Sequence, residues 1–230
     1  MIAPCPKLPP RRSAFTFPDF LVVLAVLALL AAIAIPMVQN KRDETRKVRC
    51  NANLKDVTHA ALMFAEDNTG KLPDSDPAQK NPLWWFYKEQ IKGYIGLRKP
   101  SSSADEEFGC PSDRGYEDGK PFRLSPKFDY TSYCYNGVNL PGMPNIAGRT
   151  VGSIKEPSRT LLMMEWTAHA PLSWHDSRTG QRNQPFYNDA RSVVGFVDGS
   201  VDFIPIYYDG INAAYTRDPI PGYAYKYSGD

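Results

Sequence analysis

Nineteen residues in a row, Phe20 to Val38, carry no charge, and this run constrains the fold more than any other feature of the chain. It is close to the roughly 20 residues that a helix needs to cross the apolar core of a bilayer. Its length exceeds the 7 to 15 residues usual for the apolar part of a cleaved secretory signal, and no small-x-small cleavage site followed by a turn comes after it. The reading is therefore one membrane-spanning helix over 15–38. Pro36 lies inside the run and should kink or loosen the helix near its far end, because proline removes a backbone donor and clashes with the preceding turn. Charge does not settle the orientation. Lys7, Arg11 and Arg12 precede the span, and Lys41, Arg42, Arg46, Lys47 and Arg49 follow it.

Beyond the span the polar and apolar residues alternate with helical period. Leu54, Val57, Ala61, Phe64 and Ala65 form one apolar stripe, with Asn53, Lys55, Asp56, Glu66 and Asp67 between them. This predicts an amphipathic stalk helix over 39–68, continuous with the membrane helix. Asn68, Gly70 and Pro73 then supply the stop signals. After residue 70 the 21 prolines and 16 glycines of the chain concentrate, so the remainder should be rich in turns rather than helices. Segments 160–164, 192–197 and 200–206 read as short strands, the last two joined at Asp198-Gly199 by a predicted type I′ turn. The expected class is α+β, a long N-terminal helix packed on a small antiparallel β-sheet, with a basic leader over 1–14 and a single head over 69–230.

The net charge is only +2, and the three basic residues of the leader account for all of it, so the remainder is close to neutral. No basic stripe suggests nucleic acid as a partner. His59, His169 and His175 are the only histidines, and none stands in a triad or metal-ligand spacing; His169 and His175 with Asp176 read as loop surface rather than as a metal site. There is no nucleophile elbow and no phosphate-binding loop, so catalysis is not expected, and energy for any assembly must come from other proteins. The run Trp84-Trp85-Phe86-Tyr87, with Ile91, Tyr94 and Ile95, has two readings: a ligand-stacking surface, or a short helix that packs in a core or between subunits.

The segment Arg11-Arg12-Ser13-Ala14-Phe15-Thr16-Phe17-Pro18-Asp19-Phe20 resembles the leader of type IV prepilins and type II secretion pseudopilins. In that family a basic leader ends in Gly, followed by Phe, Thr, Leu, an apolar residue and Glu, and then at once by the membrane helix. Here Ala14 stands for the Gly and Asp19 for the Glu. The resemblance extends through Arg49-Cys50, Asn53-Leu54-Lys55, Asp67-Asn68, Cys110-Pro111-Ser112-Asp113, Ser132-Tyr133 with Asn136, Pro157-Ser158 and Asp198-Gly199. These are similar, in the same order, to motifs of the planctomycete and verrucomicrobial group of prepilin-like proteins. A His that this group commonly carries ten residues before Asp-Gly is Asn188 here.

The resemblance implies cleavage between Ala14 and Phe15 by a prepilin peptidase, methylation of Phe15, and an inner-membrane subunit whose head lies in the periplasm. It implies assembly with copies of itself and with other pilins or pseudopilins into a filament. The Asp19 carboxylate would then neutralise the α-amino group of a neighbouring subunit; alternatively it favours the helix dipole in a capping arrangement with Thr16. A monomeric membrane-anchored binding module for a polysaccharide or other surface ligand is the alternative. Of Cys50, Cys110 and Cys134, the first two lie in the family's motifs, which points to a Cys50–Cys110 disulfide, with Cys110–Cys134 as the other pairing. No cofactor is expected. Ca²⁺ is at most a stabiliser, held by Asp198 and Asp202 with Asp189 and Asp209 near them, because some pseudopilins bind calcium in a C-terminal loop.

Overall fold

The computed structural model describes residues 17–75, 85–116, 119–138, 142–169, 173–175, 190–207 and 218–230. The class is α+β, as the sequence pattern predicts. The chain divides into two compact units, Met1–Arg42 and Asp43–Asp230, so the second half of the long helix belongs with the head. Ala14 and Phe15 lie outside the described residues.

In the first unit, helix α1 (Phe17–Asp67) begins with Pro18 and Asp19 in its opening turn. Proline is tolerated there because the first backbone N–H groups of a helix have no partner inside it, and an acid complements the positive end of the helix dipole. Helical structure runs on through Pro36. Every residue from Phe17 to Arg46 is exposed.

In the second unit α1 buries Cys50, Leu54, Val57, Thr58, Ala60, Ala61 and Ala65, the predicted stripe widened by small residues; Phe64 is only half-buried. The helix ends as expected. Thr69 and Gly70 take left-handed backbone (φ 58° and 80°), the Gly70 N–H donates to the Ala65 carbonyl at 2.7 Å, and Asn68 Nδ2 donates to the Phe64 carbonyl at 2.7 Å.

Four antiparallel strands form the sheet in the order β1 (Tyr133–Tyr135), β2 (Leu161–Glu165), β3 (Arg191–Phe196) and β4 (Val201–Pro205). All of β2, Leu-Leu-Met-Met-Glu, is buried, the pattern of a strand covered on both faces. The register pairs Cys134 with Met164, Met164 with Val194, and Gly195 with Val201. The β3–β4 hairpin is not type I′. Of its two turn residues only Gly199 has positive φ, at 85°. The Gly199 N–H closes a turn onto the Phe196 carbonyl, and the Phe196 N–H reaches the Ser200 carbonyl. A turn followed by a left-handed glycine is the longer kind of hairpin loop, and it leaves the Asp198 carboxylate free to accept from the Ser200 N–H at 2.9 Å and the Ser200 hydroxyl at 2.6 Å.

The aromatic run is core. Trp85, Phe86 and Tyr87 are buried, and the short helix α2 (Tyr87–Ile91) follows them. Trp85 packs edge-on to Phe128 and tilted on Trp166, and Phe86 packs edge-on to Tyr135. Trp84 lies outside the described residues. The C-terminal tail is tied to the sheet by Asn136, whose Nδ2 donates to the carbonyls of Leu161 and Tyr227 at 2.7 and 2.8 Å.

Candidate functional site

Two features stand out once the fold is in place: an apolar helix surface on which no other described residue of its unit packs, and the fastening that holds the second half of α1 to the head. Between Phe17 and Val38, 14 large apolar side chains are 45 to 72% exposed. Fully burying one such side chain is worth about 1.5–3 kcal/mol, so half-exposed they leave on the order of 10 kcal/mol unrealised. That equals the whole stability of an ordinary domain, about 5–15 kcal/mol. This stretch is long and apolar enough to cross a membrane. Asp19, in the first turn, is the one acid within it.

The fastening starts with a disulfide. Cys50 on α1 and Cys110 on the head loop are bonded, and Cys134 on β1 is buried and takes no part in a disulfide. Burial pushes the Cys134 thiol well above its ordinary value, so it stays protonated. Beside the disulfide, Asn53 Nδ2 donates to the carbonyls of Glu106 and Gly109 at 2.8 and 2.7 Å, and Arg49 pairs with Glu106 at 2.5 Å. From the sheet, the Tyr133 hydroxyl donates to the Cys50 carbonyl at 3.2 Å. Arg49, Cys50 and Asn53, which carry part of the resemblance, therefore each have a structural task.

Asp113 organises the loop that presents Cys110. Its carboxylate accepts from the backbone N–H groups of Gly115, Phe122 and Arg123 at 2.9, 3.1 and 2.8 Å, and from the Ser132 hydroxyl at 2.7 Å. Ser132 Oγ in turn accepts from the Cys110 N–H at 2.9 Å. A buried carboxylate with four donors is satisfied, so this is a loop clamp. Lys88 is the comparable cation. Its side chain is fully buried, pairs with Asp105 at 2.9 Å and donates to the Asp129 carbonyl at 2.6 Å. Burial holds its ammonium below the ordinary value, against the opposing pull of Asp105.

Against the disulfide lies a pair that the sequence did not single out. Glu165, at the end of β2 and completely buried, accepts from His175 Nε2 at 2.8 Å and from the Val193 N–H at 2.9 Å. His175 is thus no loop-surface residue, since its side chain is only 3% exposed. Its Nε2 also lies 3.9 Å from Cys110 Sγ. The available signal was Glu165 itself, a charge closing an otherwise apolar strand. Asp176 lies outside the described residues, and His59 sits exposed near the hairpin with Nε2 3.2 Å from the Gly199 carbonyl.

Of the residues suggested for calcium, Asp198 is turned onto Ser200, and Asp202 is exposed and accepts from the Phe203 N–H at 2.7 Å. Asp189 and Asp209 lie outside the described residues. No family model, curated protein or solved structure matches the chain.

Proposed function

We propose that this chain is a structural subunit of a pilus-like or type II secretion pseudopilus filament, held in the inner membrane before assembly and assembled through the apolar half of α1. The observation that carries the reading is that one helix joins a wholly exposed apolar stretch, Phe17–Val38, to a second half that buries one face in a disulfide-fastened head. An apolar surface of this size needs lipid or apolar helices around it. Copies of the same helix offer such surroundings in a filament, and lipid offers them before assembly. The prepilin-like leader supports the same reading, with a prepilin peptidase as processing partner. Trp85, Phe86 and Tyr87 are spent on the core, which leaves those three rings out of the stacking surface that a binding-module reading would use.

The test is to shear surface filaments from cells that express the chain, identify their subunits by mass spectrometry, and repeat with Leu24→Asp. The expected result is this chain in the filaments and its loss from them in the variant. Recovery of the chain only from membranes, as a monomer, would replace the filament reading with a membrane-anchored module.

A further inference from the structure

Among the described residues one cluster brings zinc-type ligands to a single place. Cys50 Sγ from α1, Cys110 Sγ from the head loop, a Glu165 carboxylate oxygen from the end of β2 and His175 Nε2 all lie within 4.8 Å of one another. Cys50, Cys110 and Glu165 are completely buried, and the His175 side chain nearly so. Tetrahedral zinc, with bonds of about 2.3 Å to sulfur and about 2.0–2.2 Å to nitrogen and oxygen, places its ligand atoms about 3.3–3.8 Å apart. The four ligand atoms already lie within about an ångström of that spacing, apart from the two sulfurs, which must separate once they are no longer bonded.

We infer that the reduced protein binds Zn²⁺ here through Cys50, Cys110, His175 and Glu165, so that a metal replaces the disulfide as the tie between α1 and the head. Two thiolates and an imidazole select zinc over calcium or magnesium, which prefer oxygen ligands alone. Supporting groups are already in position. The Ser112 N–H points at Cys110 Sγ at 3.4 Å, as suits a thiolate. Glu165 keeps its second oxygen on the Val193 N–H, leaving the first for the metal. The His175 backbone N–H is held by Ser173 Oγ at 3.1 Å, and its ring stands edge-on to Phe203. Such outer partners orient ligands and raise metal affinity.

The chemistry balances. A dithiol reductant gives two electrons and two protons, its own sulfurs joining as the Cys50–Cys110 bond breaks into two thiols. Zinc then expels the two thiol protons to solvent, and the imidazole hydrogen facing Glu165 moves from Nε2 to Nδ1, freeing the Nε2 lone pair for the metal. A disulfide oxidant reverses the sequence: it takes up the two electrons as its own sulfur–sulfur bond breaks, the Cys50–Cys110 bond re-forms, and the ion is released. Either tie joins the same two elements, so the head keeps its grip on α1 whichever state the sulfurs are in.

The test uses the full chain in detergent micelles, reduced with a phosphine that does not chelate metal, and Co²⁺ as a spectroscopic stand-in for zinc. One equivalent of Co²⁺ should give the intense visible bands of four-coordinate cobalt and a thiolate-to-cobalt charge-transfer band. One equivalent of Zn²⁺ should bleach both. The oxidised chain should give neither band, and Cys134→Ser should match the wild type. Glu165→Gln and His175→Gln should weaken cobalt binding by at least about tenfold, the scale on which ligand-supporting changes act. A reduced wild-type chain that keeps the far-ultraviolet circular dichroism of the oxidised chain and gives no charge-transfer band overturns the proposal. Charge-transfer intensity that survives Cys110→Ser undiminished, or that disappears in Cys134→Ser, overturns it as well.

Discussion

Gly195 on β3 faces Thr58 on α1 so closely that a Cβ on the glycine would stand 2.1 Å from Thr58 Oγ1 and 3.1 Å from Thr58 Cβ. Thr58 cannot swing aside freely, because its hydroxyl donates to the Leu54 carbonyl at 2.7 Å inside the helix. The helix therefore crosses the sheet at a point where only hydrogen fits. Gly195→Ala should destabilise the head by about 1–3 kcal/mol, the usual cost of overpacking a filled core. Adding Thr58→Ala removes the hydroxyl and the methyl but leaves Cβ, so the double variant should recover part of the loss. Thermal unfolding of the full chain in detergent measures both. A single variant as stable as wild type would show that α1 can lift from the sheet at no cost.

The Cys50–Cys110 disulfide spans 60 residues, and on the loop-closure account a cross-link of that span is worth about 4 kcal/mol. Replacing both cysteines by alanine removes the bond and both thiolates, and should lower stability by about 2–4 kcal/mol. Cys134→Ala should leave the cross-link intact, although it empties part of a buried site. Peptide mapping without reductant checks the pairing directly. A bridge between Cys110 and Cys134 would contradict the structure, in which Cys134 Sγ instead lies 3.5 Å from the Met164 carbonyl.

The parts of the fold that were legible are those in which a short stretch determines its own geometry. Leu54, Val57, Ala61 and Ala65 announce a buried helix face by spacing alone, and 192–197 announces a strand by β-branched and aromatic content. The hairpin between β3 and β4 was legible in place but not in type, because Asp-Gly suits either a two-residue turn or a turn followed by a left-handed glycine. Glu165 and His175 were not legible as a pair. Their partnership rests on the ends of β2 and of a loop meeting beside the disulfide, a long-range event that leaves no local period. Lys88 is a similar case: one charged residue in α2 is ordinary until Asp105 and the Asp129 carbonyl enclose it.

Asp129 should make stability depend on pH. Its carboxyl is pushed up from 3.8 to about 6 by burial, with Lys88 opposing. Below about pH 3 the group is protonated in both folded and unfolded chains and contributes nothing. As pH rises from there to about 6 the unfolded chain has released the proton while the folded chain still holds it, so stability falls through this window and stays lower above it. Asp129→Asn removes the charge and keeps a side chain that tolerates the left-handed backbone there, φ 49°. The variant should therefore melt above wild type at about pH 7, with the difference vanishing near pH 3. Half-burial screens the effect to a modest size. A difference of the same size at both pH values would assign it to something other than this titration.

The processing site gives the sharpest test of the filament reading, because two cleavages leave chemically distinct products. A secretory cleavage after Val38 removes the apolar stretch and releases a head that never meets the membrane again. Cleavage between Ala14 and Phe15 removes only the basic leader and leaves α1, which starts at Phe17, intact. The resemblance to prepilins implies the second, with a small residue required before the cut. Ala14 is one methyl larger than the family's Gly, so Ala14→Gly should be processed at least as fast, and Ala14→Leu should block processing. Intact mass and N-terminal sequencing of protein from its native membrane should give a mature chain that begins at Phe15 and carries the added mass of one methyl group. Asp19→Ala should leave that cleavage unchanged and still abolish filaments. An ionised acid near the apolar core costs about 2.5–3.5 kcal/mol unless partnered, and on the filament reading its partner would be the α-amino group of the neighbouring Phe15. A mature chain that starts beyond Val38 would refute assembly through the helix. Filaments formed normally by Asp19→Ala would leave the acid with its local task alone, favouring the first turn of α1.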